Sequence, residues 1–327
     1  MKVKEYINYW YYTYIFANQS PSTAAVNQSH INVHIKPSKL GDMEISQVTM
    51  RDAQEFLTEL LIHGNKCKIP SINSYGKPLS HWTVRKIRQI LIKAFAFAVK
   101  ENIISTNPIL DTVPIVIQPS TVHPFTLEEQ RRFLKITRKH RFYVAYELYF
   151  FCGCRRGEIL GLSWDNVYFS KDYIYISQTL VMEGTAPVLK PRGKTKNAFR
   201  TIPIPDEIKR DLHAVKRRQI AEREENDNWN NPHNLVFTQK DGSPVNPASF
   251  SRNFKQLLKR HGFPTDLHLH CTRHSWATNL VQLGIPLSDI QAMGGWSRPD
   301  ILLQIYSQSV KKSHKKAIRK LYKACTT

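Results

Sequence analysis

Long apolar runs and cysteines are scarce in this chain of 327 residues. No apolar run approaches the roughly 20 residues of a membrane-spanning helix, and Glu147 interrupts the apolar segment from Val144 to Phe151. The first residues, Met-Lys-Val-Lys-Glu, lack the apolar core of a secretory signal. The five cysteines show no framework spacing, which is typical of reduced thiols. We therefore expect a cytoplasmic protein without disulfides.

Acidic residues are also few, because 26 Asp and Glu face 47 Lys and Arg and leave a formal net charge of +21. A surplus of this size indicates a polyanionic partner, with nucleic acid as the leading candidate. The chain has no lipidation signal and no amphipathic stretch with a purely basic polar face, so we expect no membrane partner. It also lacks a phosphate-binding glycine loop and a carboxylate cluster, and we expect no cofactor.

The length favours two domains, each large enough to bury a core. Residues 107–124 contain four prolines, few charges and no helical period, which is typical of an extended linker. The sequence therefore predicts a helical domain over residues 1–106, a linker over 107–124, a second domain over 125–309 and a basic tail over 310–327.

Helical patterns dominate both predicted domains, and several begin at capping residues. A small antiparallel sheet is predicted in the second domain, where alternating residues 172–179 can pair with residues 200–204. The fold class is therefore mainly α with a small antiparallel β-sheet. The predicted helices cover residues 3–16, 22–35, from Thr49 to Gly64, from Ser80 to Lys100, 126–140, 142–152, 247–261, 270–283, 287–293 and 299–307.

Arg155 is the first candidate for chemistry. Gly153 ends one predicted helix, so Arg155 stands at the start of the next, and Glu158 one turn later can hold its guanidinium. The rigid fork of donors and the permanent charge suit a phosphate group. The alternative is an ordinary surface arginine.

Three further segments carry basic or nucleophilic residues. Lys190 to Pro203 is predicted as a basic hairpin tip leading into a strand, for which a solvated loop is the plain alternative. His270 and Arg273 lie three residues apart, on one face of a predicted helix. A turn containing Trp296 precedes a helix that ends near Tyr306, a residue that could serve packing alone.

The order of these segments resembles the tyrosine recombinase (phage integrase) family over roughly residues 121–310. Gly-Cys-Arg155-Arg-Gly-Glu158-Ile-Leu-Gly-Leu looks like the family's first arginine box, and His270-Cys-Thr-Arg273-His274 looks like its second. The resemblance implies a two-domain DNA clamp, with a helical core-binding domain ahead of the catalytic domain. The catalytic residues that it implies are Arg155, Lys194, His270, Arg273, Trp296 and Tyr306.

The resemblance also implies a role for each of these residues. Arg155 and Arg273 would clamp the non-bridging phosphate oxygens, and Tyr306 would attack with His270 as its base or hydrogen-bond partner. Lys194 would protonate the departing 5′ oxygen, with Lys196 as the alternative in that segment. Trp296 stands where many members carry a histidine, so it would pack and donate a hydrogen bond.

The partners implied are double-stranded DNA, further copies of the chain that form a dimer to tetramer on that DNA, and DNA-bending accessory proteins. The helix from Ser80 to Lys100 is the candidate for the major groove. The basic tail is either solvated or docked on a neighbouring subunit. An additional arm-binding domain, present in many integrases of mobile elements, is not evident.

Three alternatives remain open. A non-enzymatic DNA-binding regulator would explain the charge and the helices, and a type IB topoisomerase uses similar chemistry. A zinc site could draw on the cysteines and histidines near the arginine boxes, although these lack paired Cys-x-x-Cys spacing. Its candidate ligands are Cys152, Cys154, His268, His270, Cys271 and His274.

Overall fold

The computed structural model describes residues 1–66, 74–117, 123–184, 186–191, 199–297, 299–300, 302–303 and 322. The chain divides into two compact units, Met1–Ser120 and Thr121–Thr327, here called the N-terminal and C-terminal units. Each unit has a hydrophobic core of its own. Within the described ranges, no helix is both long enough and apolar enough to cross a membrane.

The N-terminal unit is helical. Short π-helical segments, Tyr11–Ile15 and Ile31–Ile35, extend its first two helices, so the predicted helices over 3–16 and 22–35 are confirmed with a change of helical type. The α-helices are α1 (Val3–Trp10), α2 (Pro21–His30), α3 (Lys39–Asp42), α4 (Met50–His63) and α5 (His81–Lys100).

Local capping explains where α4 and α5 begin. The Thr49 hydroxyl accepts a hydrogen bond from the Asp52 amide, and the Asp52 carboxylate accepts one from the Thr49 amide. The Ser80 hydroxyl accepts from the Thr83 amide in the same way. The stripe predicted for α5 is buried, which confirms the core-facing side of that helix; it comprises Val84, Ile87, Leu91, Ala94, Phe95 and Ala98.

Part of the predicted linker packs on α5. The Arg88 guanidinium donates to the carbonyl oxygens of Ile109, Leu110 and Thr112, and Ile109 is fully buried. Arg88 therefore binds the following chain instead of extending the basic face of α5. The domain limits themselves stay a prediction.

The C-terminal unit combines seven α-helices with two small sheets in its described part. Its helices are α6 (Leu127–Thr137), α7 (Tyr143–Cys152), α8 (Arg156–Leu160), α9 (Asp206–Glu224), α10 (Pro247–Arg260), α11 (Leu269–Gln282) and α12 (Leu287–Gly294). Its strands are β1 (Val167–Tyr168), β2 (Tyr173–Ile176), β3 (Gln178–Glu183), β4 (Ala186–Pro191) and β5 (Arg200–Pro203).

The strands form an antiparallel sheet in the order β1-β2-β5 and a separate β3-β4 pair. Ile174 pairs with Ile202, which confirms the predicted pairing for residues 173–176 and 200–203. The end of the predicted strand, Gln178 and Thr179, instead belongs to β3 and pairs with β4. The mainly α fold with small antiparallel sheets is therefore as predicted. The basic segment is not the turn of the β3-β4 hairpin, because that hairpin turns back at Gly184 and the segment joins strands of different sheets. Residues 192–198, with Lys194 and Lys196, lie outside the described residues.

Helix α9 is absent from the predicted elements. Its signals are nevertheless present, since Asp206 and Glu207 stand in its first turn and Ile208, Leu212 and Val215 are buried on one face. The buried core of this unit is rich in phenylalanine. Phe125, Phe133 and Phe254 make edge-on or tilted ring contacts that join the start of the unit to α6 and α10.

Candidate active site

Arg155 stands where the sequence predicts it, between two helices. α7 ends at Cys152 and is followed by Gly153, whose φ of 58° is left-handed, and Arg155 is the N-cap of α8. A Cβ at Gly153 would lie 2.3 Å from the Trp276 ring, so glycine also provides space at this turn. Glu158 accepts from the Arg155 amide at 3.0 Å and from its Nη1 at 2.9 Å, which confirms that Glu158 holds this guanidinium.

Arg273 is buried on α11 with 2% of its surface exposed. Its guanidinium donates to the carbonyl oxygens of Gly153 and Gly294 and lies 3.7 Å from the centre of the Trp296 ring. Burial, followed by the nearby positive charge of Arg155, lowers the Arg273 pKa to about 9. Arg273 therefore keeps its charge at neutral pH in a setting that disfavours the charge and favours an incoming anion.

Trp296 is buried and packs on Trp276 with the two rings nearly parallel and their centres 6.0 Å apart. A Cβ at Gly294 would lie 2.0 Å from the Trp296 ring, so a larger residue there would displace the indole. The ring thus has α11 on one side and the end of α12 close by, and it supports the Arg273 guanidinium through a cation–π contact.

His270 lies on α11 one turn before Arg273 and is partly accessible at the surface. The edge of one imidazole faces the other in the pair His270 and His274, with ring centres 5.0 Å apart. Partial burial, and then the neighbouring His274 and Arg273, lower the His270 pKa to about 4. The imidazole is therefore neutral at physiological pH and can accept a proton.

A third arginine, Arg200, belongs to the same cluster and was missed from the sequence. Its Nη2 pairs with Glu158 Oε2 at 2.7 Å, and its Nε donates to the Met293 carbonyl oxygen. The missed signal was strand alternation, because Arg200 shares the buried face of β5 with Ile202.

The structure brings together Arg155, Arg273 and Trp296, and places His270 on the helix that carries Arg273. Arg155 Nη2 donates to the Gly295 carbonyl oxygen at 3.1 Å, next to the Gly294 carbonyl that holds Arg273. Lys194 and Tyr306 lie outside the described residues.

The zinc alternative has no support among the described residues, where no cluster of three or more His, Cys, Asp or Glu side chains could hold a metal. Burial raises the Cys154 pKa to about 12, which opposes the thiolate form that zinc requires. The Cys271 sulfur lies 3.0 Å from His268 Nδ1, a contact within a single pair.

Sequence profiles of two families match the chain. The phage integrase family matches residues 125–313, and the phage integrase N-terminal SAM-like domain matches residues 2–61. A tyrosine recombinase XerC-like protein of Caldanaerobacter subterraneus is 25% identical over 95% of this chain and 80% of that protein. The ICEBs1 integrase of Bacillus subtilis is 26% identical over 90% of this chain and 76% of that protein.

Solved integrases share the fold. The Tn1549 transposon integrase in complex with circular intermediate DNA superposes with a TM-score of 0.78 at 19% identity, over 98% of this chain and 100% of that chain. A lambda integrase dimer bound to a core site superposes with a TM-score of 0.68 at 16% identity, over 94% of this chain and 77% of that chain. Because the family profile spans more than half of the sequence and covers both arginine boxes, the chain belongs to the phage integrase family of tyrosine recombinases.

Proposed function

We propose that this chain is a site-specific DNA recombinase that integrates or excises a mobile element through a 3′-phosphotyrosine intermediate. The observation that carries the proposal is the pair of guanidinium groups of Arg155 and Arg273, held by the adjacent carbonyls of Gly295 and Gly294. Membership of the phage integrase family supports this function over a non-enzymatic regulator or a type IB topoisomerase.

The arginines would supply most of the rate acceleration. Attack on a phosphodiester increases the negative charge on its non-bridging oxygens, and fixed cations in a partly buried site stabilise that charge. Each guanidinium gives part of its donors to a backbone carbonyl, which fixes its plane, and its other donors remain for a phosphate. The low pKa of Arg273 fits this role, because a bound phosphate would compensate its buried charge.

The remaining roles rest on the family resemblance. Tyr306 would attack the phosphorus, and neutral His270 would accept its proton or a hydrogen bond from it. Lys194 would protonate the departing 5′ oxygen, and Trp296 would keep Arg273 in place. A 5′ hydroxyl from another strand would then attack the phosphotyrosine, so the ends rejoin without an external energy source.

The proposed partner is double-stranded DNA in the bacterial cytoplasm, bound by two to four copies of the chain with help from DNA-bending proteins. Lambda integrase has been solved as a dimer on a core site and as a tetramer on a Holliday junction, which supports this assembly. On α5, Arg85 is exposed and Lys86 lies 4.9 Å from the Trp82 ring centre, so this part of the helix is suited to a DNA groove.

The decisive experiment uses a nicked suicide DNA substrate, which traps a covalent protein–DNA adduct. Wild type should form the adduct, Tyr306→Phe should form none, and Tyr322→Phe should behave as wild type because it alters a tyrosine outside the proposed site. An adduct with Tyr306→Phe would refute the nucleophile. If wild type forms no adduct with DNA from the ends of the mobile element that encodes it, the recombinase assignment is refuted.

A related substrate separates Lys194 from Lys196. A sulfur in place of the 5′ bridging oxygen leaves without protonation, so it should restore cleavage by a variant that lacks the general acid. We expect rescue of Lys194→Ala and near-normal cleavage of the ordinary substrate by Lys196→Ala. Rescue confined to Lys196→Ala would exchange the two assignments.

A further inference from the structure

Arg200 is a buried arginine that the proposed mechanism does not use. It is the first residue of β5 and 8% of its surface is exposed. A buried guanidinium is costly to desolvate, and an apolar residue of similar volume is often at least as stabilising. The geometry that Arg200 imposes on its neighbours therefore explains its presence better than stability does.

The first neighbour is Glu158, whose carboxylate holds two arginines at once. Its Oε1 accepts from Arg155 Nη1 at 2.9 Å, and its Oε2 accepts from Arg200 Nη2 at 2.7 Å and from the Arg155 amide at 3.0 Å. Arg200 thus anchors the second oxygen together with the Arg155 amide, and both donors restrict the rotation of the carboxylate. That rotation sets the direction in which the Arg155 guanidinium points.

The second neighbour is the end of α12. Three successive carbonyl oxygens there each accept from a different arginine: Met293 from Arg200, Gly294 from Arg273 and Gly295 from Arg155. The last carbonyls of a helix have no partner within the helix and carry its partial negative charge. Arg200 therefore holds the same turn that orients both predicted phosphate-binding arginines and leads into Trp296.

We propose that Arg200 is a positioning residue for DNA cleavage. It binds Glu158 and the Met293 carbonyl, and through them it fixes Arg155 and the turn at residues 293–295, so that Arg155 and Arg273 present their free donors to one phosphate. In this role Arg200 acts through the two groups that it binds, since its Nε donates to the Met293 carbonyl oxygen and its Nη2 to Glu158. The inference rests on the proposed function.

Single-turnover cleavage of the nicked substrate tests the proposal, with DNA affinity measured separately. Arg200→Met should slow adduct formation by about 100-fold, the order expected for a misplaced catalytic group, while the Kd for DNA stays within about threefold. Arg200→Lys keeps the charge but cannot span both acceptors, so it should recover part of the rate. Rates are expressed per folded molecule, from the unfolding transition of each variant.

Arg141→Met is the matched control. Arg141 pairs with Glu222 and donates to the carbonyls of Thr238 and Gln239, so its loss removes a comparable set of contacts, made to partners other than those of Arg155, Arg200 and Arg273. We expect a similar loss of stability with a normal cleavage rate. A similar loss of rate in Arg141→Met and Arg200→Met would show that Arg200 acts through stability alone and would overturn the proposal.

A double-variant cycle shows whether Arg200 acts through Glu158. If it does, Arg200→Met combined with Glu158→Gln should cleave no more than about threefold slower than the slower single variant, because residues in one network are not additive. Fully additive losses would overturn the proposal, as would a normal rate in Arg200→Met. If wild type forms no adduct, the recombinase assignment itself is wrong. If wild type forms the adduct and the Arg200 variants form it at the wild-type rate, only the positioning role of Arg200 is wrong.

Discussion

At the scale of single residues, the candidate site holds more positive than negative charge. Among the described residues of the site, Arg155 and Arg200 share the Glu158 carboxylate, whereas Arg273 donates to backbone carbonyls. Dipoles compensate a buried cation less well than a counter-ion does. The lowered pKa of Arg273 reports this imbalance, and an anion of the size of phosphate would relieve it.

Gly153 provides the first prediction. Its φ is 58°, and a Cβ would meet the Trp276 ring at 2.3 Å, whereas Gly184 has φ 61° and, apart from its chain neighbours, no described residue within 4 Å of its Cβ position. Gly184→Ala should therefore cost about 1–2 kcal/mol from the left-handed conformation alone. Gly153→Ala should cost about 1–3 kcal/mol more, because the Trp276 ring must move. Urea unfolding of both variants measures the difference; equal losses would mean that the ring yields freely.

His270 provides the second prediction, on pH dependence. Its pKa is lowered to about 4, so the neutral imidazole that can accept a proton predominates at every pH well above that value. The kcat/KM for adduct formation, which reports the free enzyme, should therefore show no loss from protonation of His270 between pH 7.5 and 5.5. A plot of this rate against pH at subsaturating DNA checks it. A loss centred near the ordinary histidine value of about 6.5 that is absent in His270→Gln would contradict the prediction.

At the scale of elements, a structural feature can be predicted from the sequence when the residues that determine it lie close together in the chain. The starts of α4, α5 and α6 follow from capping residues within one turn, such as Thr126 and Glu129, and the sequence predicts them correctly. Arg200 and Glu158 are 42 residues apart, so their pairing requires the fold. The division of the strands into two sheets likewise depends on packing that no local pattern encodes.

Helix α9 shows a second limit of local patterns. Gln219 is buried on this helix, where an amide within the apolar stripe interrupts the expected pattern. Its Oε1 accepts from Trp164 Nε1 at 2.7 Å, and its Nε2 lies within 3.1 Å of the carbonyl oxygens of Leu235 and Val236. A polar residue that reads as a surface position thus joins α9 to two distant segments.

The third prediction concerns this amide. Gln219→Met keeps the approximate volume but leaves buried donors and acceptors unpaired, and we expect a loss of about 2–4 kcal/mol in the free energy of unfolding. Ile220→Met, at an exposed neighbouring position of α9, should change stability by less than about 0.5 kcal/mol. Denaturant unfolding measures the stability of both variants. A Gln219→Met variant as stable as Ile220→Met would show that the hydrogen bonds of this amide do not stabilise the packing of α9.

At the scale of the whole molecule, the net charge of +21 opposes compaction of a chain of this size. Burial of apolar side chains within each unit offsets this repulsion. A polyanion that binds to the surface would lower the repulsion, so the charge favours DNA binding independently of the site that cuts. DNA affinity should therefore depend on the surface charge, and the cleavage rate on residues of the candidate site.

The fourth prediction separates these two properties through salt. If the chain neutralises on the order of 6–10 phosphates, counter-ion release should weaken DNA binding by about 10³–10⁵-fold between 50 and 200 mM salt. Tyr306→Phe lacks the proposed nucleophile and should show the same slope of log Kd against log salt as wild type, because it changes no charge. Fluorescence anisotropy with labelled duplex measures both slopes. A loss of affinity of less than about tenfold across this range would mean that the basic surface does not bind the phosphate backbone. Equally steep slopes in both proteins would show that DNA affinity depends on the basic surface and not on Tyr306.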